Sequence, residues 1–486
     1  MNDTDGHRAG GSRMKRSGMA AFAFLSRSLQ QISTFVITLL AARFLAPADY
    51  GVYALGVVFV LLIQTLTYTG FYQFVINSRA DDRSVLSVSF WLICGLATAA
   101  ALVLVVLAVP ISWIFDAPEL APVLILLALA QPVAGAVAWA SAVLLRRQRI
   151  ERHFVIMFVQ NLTALVGGVI LLWAWQSLYA LVAFRYLRIV SGLLLFAVLT
   201  RDRPAMTFDR TLAREAAGFS GGLYGARLMS FLSRYAGDLL LGAIYTTAEA
   251  GLYRFGTRIA GGAVDVMGQP LRSFALTQFG AGGRAQHDLA PILARFTGTT
   301  AFLTGGTAAV LIVFAGPMIE TLFDPAYLAA VAVTYAMATR AVVNSALMIE
   351  PVFSALGRTS VVMVFNLVWA VITVASVFVA AQFGLETLAW SQAAIGVGMI
   401  ASGLVVIRRI GGVAIGRAVR TLMVATALVL VYGLVLNWSW PYVAEALADG
   451  PGARLTVGLI WSLVLAAPTT VIAARSGVFT LRVFSG

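Results

Sequence analysis

Nine arginines interrupt apolar runs that would otherwise read as uninterrupted membrane-crossing helices: Arg27, Arg185, Arg188, Arg227, Arg234, Arg254, Arg258, Arg272 and Arg340. Only three acids share those runs, Asp238, Asp265 and Glu350. A charge at bilayer depth is costly unless it faces a wet cavity or a partner. The planar guanidinium fork gives bidentate hydrogen bonds to phosphate or carboxylate. The pattern therefore predicts a cationic cavity suited to an anionic group. Arg27 and Arg227 lie about ten residues, or ~15 Å, from the basic end of their helices, too deep to reach water easily. Arg185 and Arg188 share one helix face at i,i+3. Arg234 and Asp238 are i,i+4 neighbours, Arg258 and Asp265 share a face at i,i+7, and Arg340 is mid-helix. These seven arginines (27, 185, 188, 227, 234, 258 and 340) are the candidate ligands. Asp238 and Asp265 are candidates for ion coupling or for pairing with them. Arg254 and Arg272 stand near helix ends and are expected to snorkel, and Gln30 and Gln31 to tie helices together.

Other chemistries lack their residues. His7, His153 and His287 read as loop residues, so no histidine base or metal cluster is expected in the membrane. A lone Cys94 forms no intramolecular disulfide. There is no phosphate-binding Gly-rich Lys motif and no Ser-His-Asp or paired-carboxylate pattern. The expectation is a protein that is not an enzyme and uses no cofactor or metal.

The elements that must hold these arginines are transmembrane helices. The chain of 486 residues is 60% hydrophobic and 11% charged, against roughly 25% charged for a soluble domain. Many apolar runs exceed the ~20 residues that cross a bilayer. About fourteen spans are expected, near 18–42, 51–77, 85–114, 120–145, 154–174, 178–199, 216–244, 250–278, 296–316, 327–355, 360–382, 386–407, 419–437 and 454–474. The stretch after the polar first residues is read as a span, since it lacks a small-residue cleavage site. The fold class is an all-α polytopic membrane protein.

Loop charge sets the topology. With the N-terminus in the cytoplasm, the cytoplasmic segments hold about 23 Lys and Arg and the opposite loops about two. The net charge of +13 is thereby explained without nucleic acid, and both termini are expected to be cytoplasmic.

Two turns repeat. "ADYGVYALG" (48–56) and "AEAGLYRFG" (248–256) keep one register: Asp49 and Glu249, Gly51 and Gly251, Tyr53 and Tyr253, Gly56 and Gly256. Both fall on the outer face, and the same offset sets Arg27 opposite Arg227. Equivalent turns on one face imply parallel repeats. The expected organisation is a basic tail (1–17), an N-lobe of six helices (18–199), a cytoplasmic linker (200–215), a C-lobe of six helices (216–407), two extra helices (408–474) and a cytoplasmic tail (475–486). Two pseudo-symmetric lobes of this kind usually place a substrate site at their interface.

The segment "ARFLAPADYGVYALGVVFVLLIQTLTYTGFYQFVIN" (42–77) resembles the first loop and second helix of bacterial polysaccharide flippases. These form the polysaccharide-transporter branch of the multidrug/oligosaccharidyl-lipid/polysaccharide exporter superfamily. The resemblance rests on the turn from Arg43 to Gly51 and on Gly70 and Gln73. "GDLLLGAIYTTAEAGLYRFGTRIA" (237–260), Pro270 and "PMIETLFDPAYLAA" (317–330) are similar to second-lobe features, with Asp324-Pro325 in place of the family's usual Gly. It implies a two-lobed alternating-access protein of the bacterial inner membrane. The implied substrate is an undecaprenyl-pyrophosphate-linked oligosaccharide, passed to the periplasmic leaflet for exopolysaccharide, capsule or O-antigen synthesis. Membrane lipid, and a polysaccharide polymerase with export machinery, are the implied partners. Two alternatives stay open. A drug exporter of the same superfamily would want acids or aromatics in the cavity, which the arginine excess opposes. A polysaccharide polymerase would want a large outer loop, and the longest, about 438–453, is short.

Overall fold

The computed structural model describes residues 29, 30, 32–78, 80–200 and 203–480. The described chain is a succession of helices. They are α1 (Ile32–Phe44), α2 (Pro47–Thr67), α3 (Thr69–Asn77), α4 (Asp82–Ile114), α5 (Leu120–Leu129), α6 (Gln131–Arg146), α7 (Ile150–Trp175), α8 (Leu178–Leu199), α9 (Arg210–Ile244), α10 (Thr247–Arg284), α11 (Ala290–Leu322), α12 (Val331–Ala346), α13 (Ile349–Ala355), α14 (Thr359–Ala380), α15 (Leu385–Arg409), α16 (Gly416–Leu447) and α17 (Pro451–Arg475). Eleven of the helical stretches are long and apolar enough to cross a membrane. The helices α9 and α10 are also long, 35 and 38 residues, but carry the arginines and acids that break their apolarity. Of the first expected span, only the part from Ile32 is described as a helix long enough to count.

Several expected spans are two helices in series. The second breaks at Tyr68 and the fourth at Ala130, just before Pro132. Proline has no N–H and crowds the carbonyl four residues back, and carbonyls freed inside a bilayer need new donors. Here Tyr186 donates its hydroxyl to the Leu126 carbonyl and Gln131 its amide to the Leu127 carbonyl at 2.8 Å. The expected outer loop 438–453 is mostly helix, because α16 continues past Pro441 to Leu447. Trp440 holds that extension by packing on Phe314. The turn that follows uses Gly450 at φ +91°, a left-handed backbone that glycine adopts without strain.

The described residues form two compact units divided between Ala248 and Glu249. In the first, α9 packs on α2, α3 and α4. Two glycines allow its approach. A Cβ on Gly70 would stand 2.7 Å from the Ser220 Cβ, and one on Gly242 would stand 2.5 Å from Leu55 Cδ2. The sequence places 216–244 in the second lobe as an expectation, and the described contacts of α9 are with α2, α3 and α4. In the second unit α16 and α17 pack on α11. Thr421 donates to the Ala294 carbonyl at 2.9 Å, and Tyr432 donates to the Ser462 carbonyl at 3.0 Å.

The repeated turn has one structural job in each unit. A Cβ on Gly56 would stand 3.1 Å from Val123 and Leu127 of α5, and one on Gly256 would stand 2.9 Å from Val333 of α12. Each glycine thus seats the helix after its turn on the fourth apolar stretch of its half. A second correspondence lies in the sequence at those contacts. "FDAPELAPV" (115–123) and "FDPAYLAAV" (323–331) share Phe, Asp, Leu, Ala and Val in register. Phe115 stacks edge-on against Phe59 of α2, and Phe323 against Phe255 of α10.

Basic loops meet at common ends. Arg146 donates to Asp82 and to the carbonyls of Val75, Ser78 and Ala80, joining the loop after α3 to the end of α6. Arg147 pairs with the same carboxylate at 2.6 Å. Trp91 and Ser87 of α4 donate to backbone carbonyls of Ala205 and Thr207 in the segment before α9. His153, expected in a loop, is instead buried in the first turn of α7, in hydrogen-bond contact with Ser141 at 3.2 Å, which in turn meets the Tyr72 hydroxyl at 3.2 Å. The helix begins earlier than hydropathy suggested because Glu151 and Arg152 sit on its solvated side while His153 turns inward.

Candidate functional site

The site is best assembled from the helix that carries two arginines. Helix α8 begins at Ser177, whose side chain accepts from the Tyr179 N–H. The i,i+3 spacing then sets Arg185 and Arg188 on one face, roughly 10 to 15 Å along the helix. Both are half-buried. The Tyr68 side chain, at the break between α2 and α3, lies within electrostatic reach of both guanidinium groups, and Tyr53 of α2 lies within reach of Arg188. Among the described residues no carboxylate pairs with either arginine. The Arg185 Nη1 nitrogen is buried and has no acceptor. A buried charged donor without an acceptor costs more than a neutral one, and among the described residues no acceptor reaches this nitrogen. One turn beyond Arg188, the Gln160 side chain of α7 covers Gly192, where a Cβ would stand 2.5 Å from its Oε1. That oxygen is buried and also unpaired. Two arginines of α8 thus share the reach of the Tyr68 hydroxyl, and the Gln160 amide of α7 stands against that helix one turn further along. Between residues 47 and 199 every acid (Asp49, Asp81, Asp82, Asp116, Glu119, Glu151) lies in a loop or a first helical turn, so nothing within these spans neutralises the pair.

The arginines of the second unit are differently placed. On α10, Asp265 is surrounded by Gln269, Arg272 and Arg258. Arg272 also forms an ion pair with Glu350 of α13. Arg272, whose side chain is 56% exposed, thus lies within reach of two carboxylates. Arg254, also expected to snorkel, is buried, with 8% of its surface exposed. Arg340 of α12 stands against the Tyr253 hydroxyl and packs near Gly396 of α15.

The remaining candidates are less assembled. Arg227 is exposed on α9. Arg27 lies outside the described residues, as do the side chains of Arg234 and Asp238. The sequence reading missed Tyr68 and undervalued Tyr53 and Tyr253. The repeat marked the last two as turn residues, yet each stands beside a membrane arginine of its own unit. That repetition of a hydroxyl was the available signal.

A family model described as "Polysaccharide biosynthesis protein" matches residues 40–332, more than half of the chain. The succinoglycan biosynthesis transport protein ExoT of Rhizobium meliloti (strain 1021) is 22% identical over 226 residues. That alignment covers 46% of this chain and 46% of the relative, so it spans under half of either protein. Among solved structures, the lipid II flippase MurJ in its inward closed conformation is similar at a TM-score of 0.70 and 12% identity, covering 94% of this chain and 99% of that one. An inward-facing multidrug resistance MATE family transporter of the MOP superfamily is similar at a TM-score of 0.57 and 12% identity, covering 80% of this chain and 99% of that one. At such identities the structural likeness establishes the fold. Taken with the family match across both repeated turns, it establishes that the chain belongs to the polysaccharide biosynthesis protein family, as a multi-pass membrane protein with a fold shared by lipid flippases and MATE transporters.

Proposed function

We propose that this protein is a flippase for undecaprenyl-pyrophosphate-linked oligosaccharide units, moving them from the cytoplasmic to the periplasmic leaflet of a bacterial inner membrane. The observation that carries the reading is the arginine pair of α8, uncompensated among the described residues, with a buried guanidinium nitrogen that lacks an acceptor. A pyrophosphate supplies the missing oxygens, and paired guanidinium groups bind it bidentately. Tyr68 and Gln160 offer hydroxyl and amide groups suited to the first sugar. The family match, the transport protein among its relatives and the flippase fold support the same reading. Transport proceeds by alternating access to the two leaflets, with both termini cytoplasmic, as the loop arginines favour.

The test is lipid analysis of a deletion strain complemented with wild-type protein or with the Arg185→Ala/Arg188→Ala variant. Full oligosaccharide units on undecaprenyl pyrophosphate, held in the inner leaflet of spheroplasts from both the deletion and the variant, are expected. Units that reach the outer leaflet but stay unpolymerised would make the protein a polymerase instead. Unchanged lipid-linked sugar with altered drug tolerance would make it a drug exporter.

A further inference from the structure

The second unit carries a site that the transport reading does not use. Between α14 and α15 runs an apolar groove of about 500 Å³. One wall is a helical stripe at i,i+4 spacing, Ser360, Val364, Val368 and Ile372, and the other is Ser402, Val406 and Ile410. Trp369 closes the floor, its indole N–H donating to Ser402 Oγ at 3.1 Å. The wall residues of α14 stay half exposed although the helix is strongly apolar, so this face looks toward lipid. At one end the groove meets charge. Ser360 lies two residues after Arg358, and Ile410 directly follows Arg408 and Arg409. Arg358 Nη1 donates to the Ile410 carbonyl at 2.8 Å, so the two walls are joined at that mouth. All three arginines are exposed, and among the described residues none of them has a carboxylate partner.

We propose that this groove holds one anionic phospholipid of the surrounding bilayer, its phosphate headgroup on Arg358, Arg408 and Arg409 and one acyl chain along the α14 stripe. Length selects the occupant. From Ser360 to Ile372 the stripe runs about 18 Å at 1.5 Å per residue, close to one leaflet of a ~30 Å hydrocarbon core. A polyprenyl carrier chain is several times longer than that trough. The charge is complementary, since basic clusters between transmembrane helices bind anionic headgroups. The site is independent of what the protein carries.

Trp369 reports on the groove directly. The full-length protein is reconstituted into vesicles that mix phosphatidylcholine with brominated phosphatidylglycerol, and in reverse with the bromine on phosphatidylcholine. The quenching that disappears in Trp369→Phe belongs to the groove. Wild-type protein is expected to favour phosphatidylglycerol there by roughly 100-fold, at about tenfold or less per arginine near the surface. The Arg358→Gln/Arg408→Gln/Arg409→Gln variant is expected to show little preference while still unfolding cooperatively, at a midpoint lowered at most by the loss of the Arg358–Ile410 hydrogen bond. Salt is expected to reduce the wild-type preference, as screening requires. Equal quenching by the two lipids in wild-type protein overturns the proposal. So does a preference that survives loss of the three arginines. Recovery of fluorescence by undecaprenyl phosphate at a lower mole fraction than unlabelled phosphatidylglycerol also overturns it, by giving the groove to the carrier lipid.

Discussion

Both units place arginines inside membrane-spanning helices, yet they treat the charge in opposite ways. In the first unit Arg185 and Arg188 face tyrosine hydroxyls and no acid among the described residues, and a guanidinium nitrogen is buried without an acceptor. In the second, Arg258 and Arg272 gather around Asp265, and Arg272 pairs with Glu350. The repeated turn makes the contrast sharper. Tyr53 lies near Arg188 of α8, whereas Tyr253 lies near Arg340 of α12. The same tyrosine is therefore reused against arginines on helices that do not correspond. A pseudo-symmetric frame can keep its packing glycines while arginines of α10 gain carboxylate partners and those of α8 gain none among the described residues.

The largest effect should come from the open pair. Arg185→Ala with Arg188→Ala is expected to lower transport of lipid-linked units roughly 100-fold or more, since hydrogen bonds to charged groups contribute about 1.5–3 kcal/mol each. Lysine at both positions should restore only part, because the bidentate fork is lost. Transport into vesicles measures both, and a normal rate in the alanine variant would dissolve the comparison. Next in size is the seat of α9. Gly70→Leu drives a side chain into Ser220 and should cost about 1–3 kcal/mol, with Ser220→Gly relieving part of it. Thermal unfolding reads this, and an unchanged midpoint would mean that α9 approaches less closely than described.

Removing a charge should then act with opposite sign in the two units. Glu350→Gln removes one of the two carboxylates around Arg272 and is expected to cost about 0.2–1 kcal/mol for so exposed a pair, lowering the unfolding midpoint by roughly 1–2 °C or less in a chain of this length. The double variant with Arg272→Gln should recover most of it. Arg185→Gln removes an uncompensated charge, so its midpoint should hold or rise, in the manner of residues kept for function at the expense of stability. If Arg185→Gln unfolds as early as Glu350→Gln, the α8 arginines are structural. The smallest effect belongs to Gly261→Ala, where a Cβ meets nothing within 4 Å. Its unfolding midpoint should shift by less than the equivalent of about 0.5 kcal/mol, against a large loss for Gly256→Ala, whose Cβ would press on Val333.

Much of this protein could be read before any coordinates. Apolar runs of spanning length dictated helices, because unpaired backbone polar groups are not tolerated in hydrocarbon. The breaks at Tyr68, at Ala130 and between α12 and α13, the early starts of α7, α9 and α11, and the helical run to Leu447 escaped that reading. Hydropathy averages over a window and does not see where a single Pro132 frees a carbonyl or a single His153 turns inward. The repeated turn was legible as four shared residues. The second correspondence, around Phe115 and Phe323, was present in the letters but became evident only when the two phenylalanines were found packed on α2 and α10, the helices that follow the repeated turns.

The sequence alone determined the class of the molecule, its helices, its basic and acidic loop ends and the list of arginines that sit at depth. Those properties depend on composition and on spacing along one helix, which are local. Tertiary structure alone decided which of those arginines are neutralised. Arg272 meets Glu350 across 78 residues of chain, and Arg185 comes within electrostatic reach of Tyr68 at the α2–α3 break. Partnership in a membrane is set by which helix faces pack together, and packing brings together residues that no spacing rule connects.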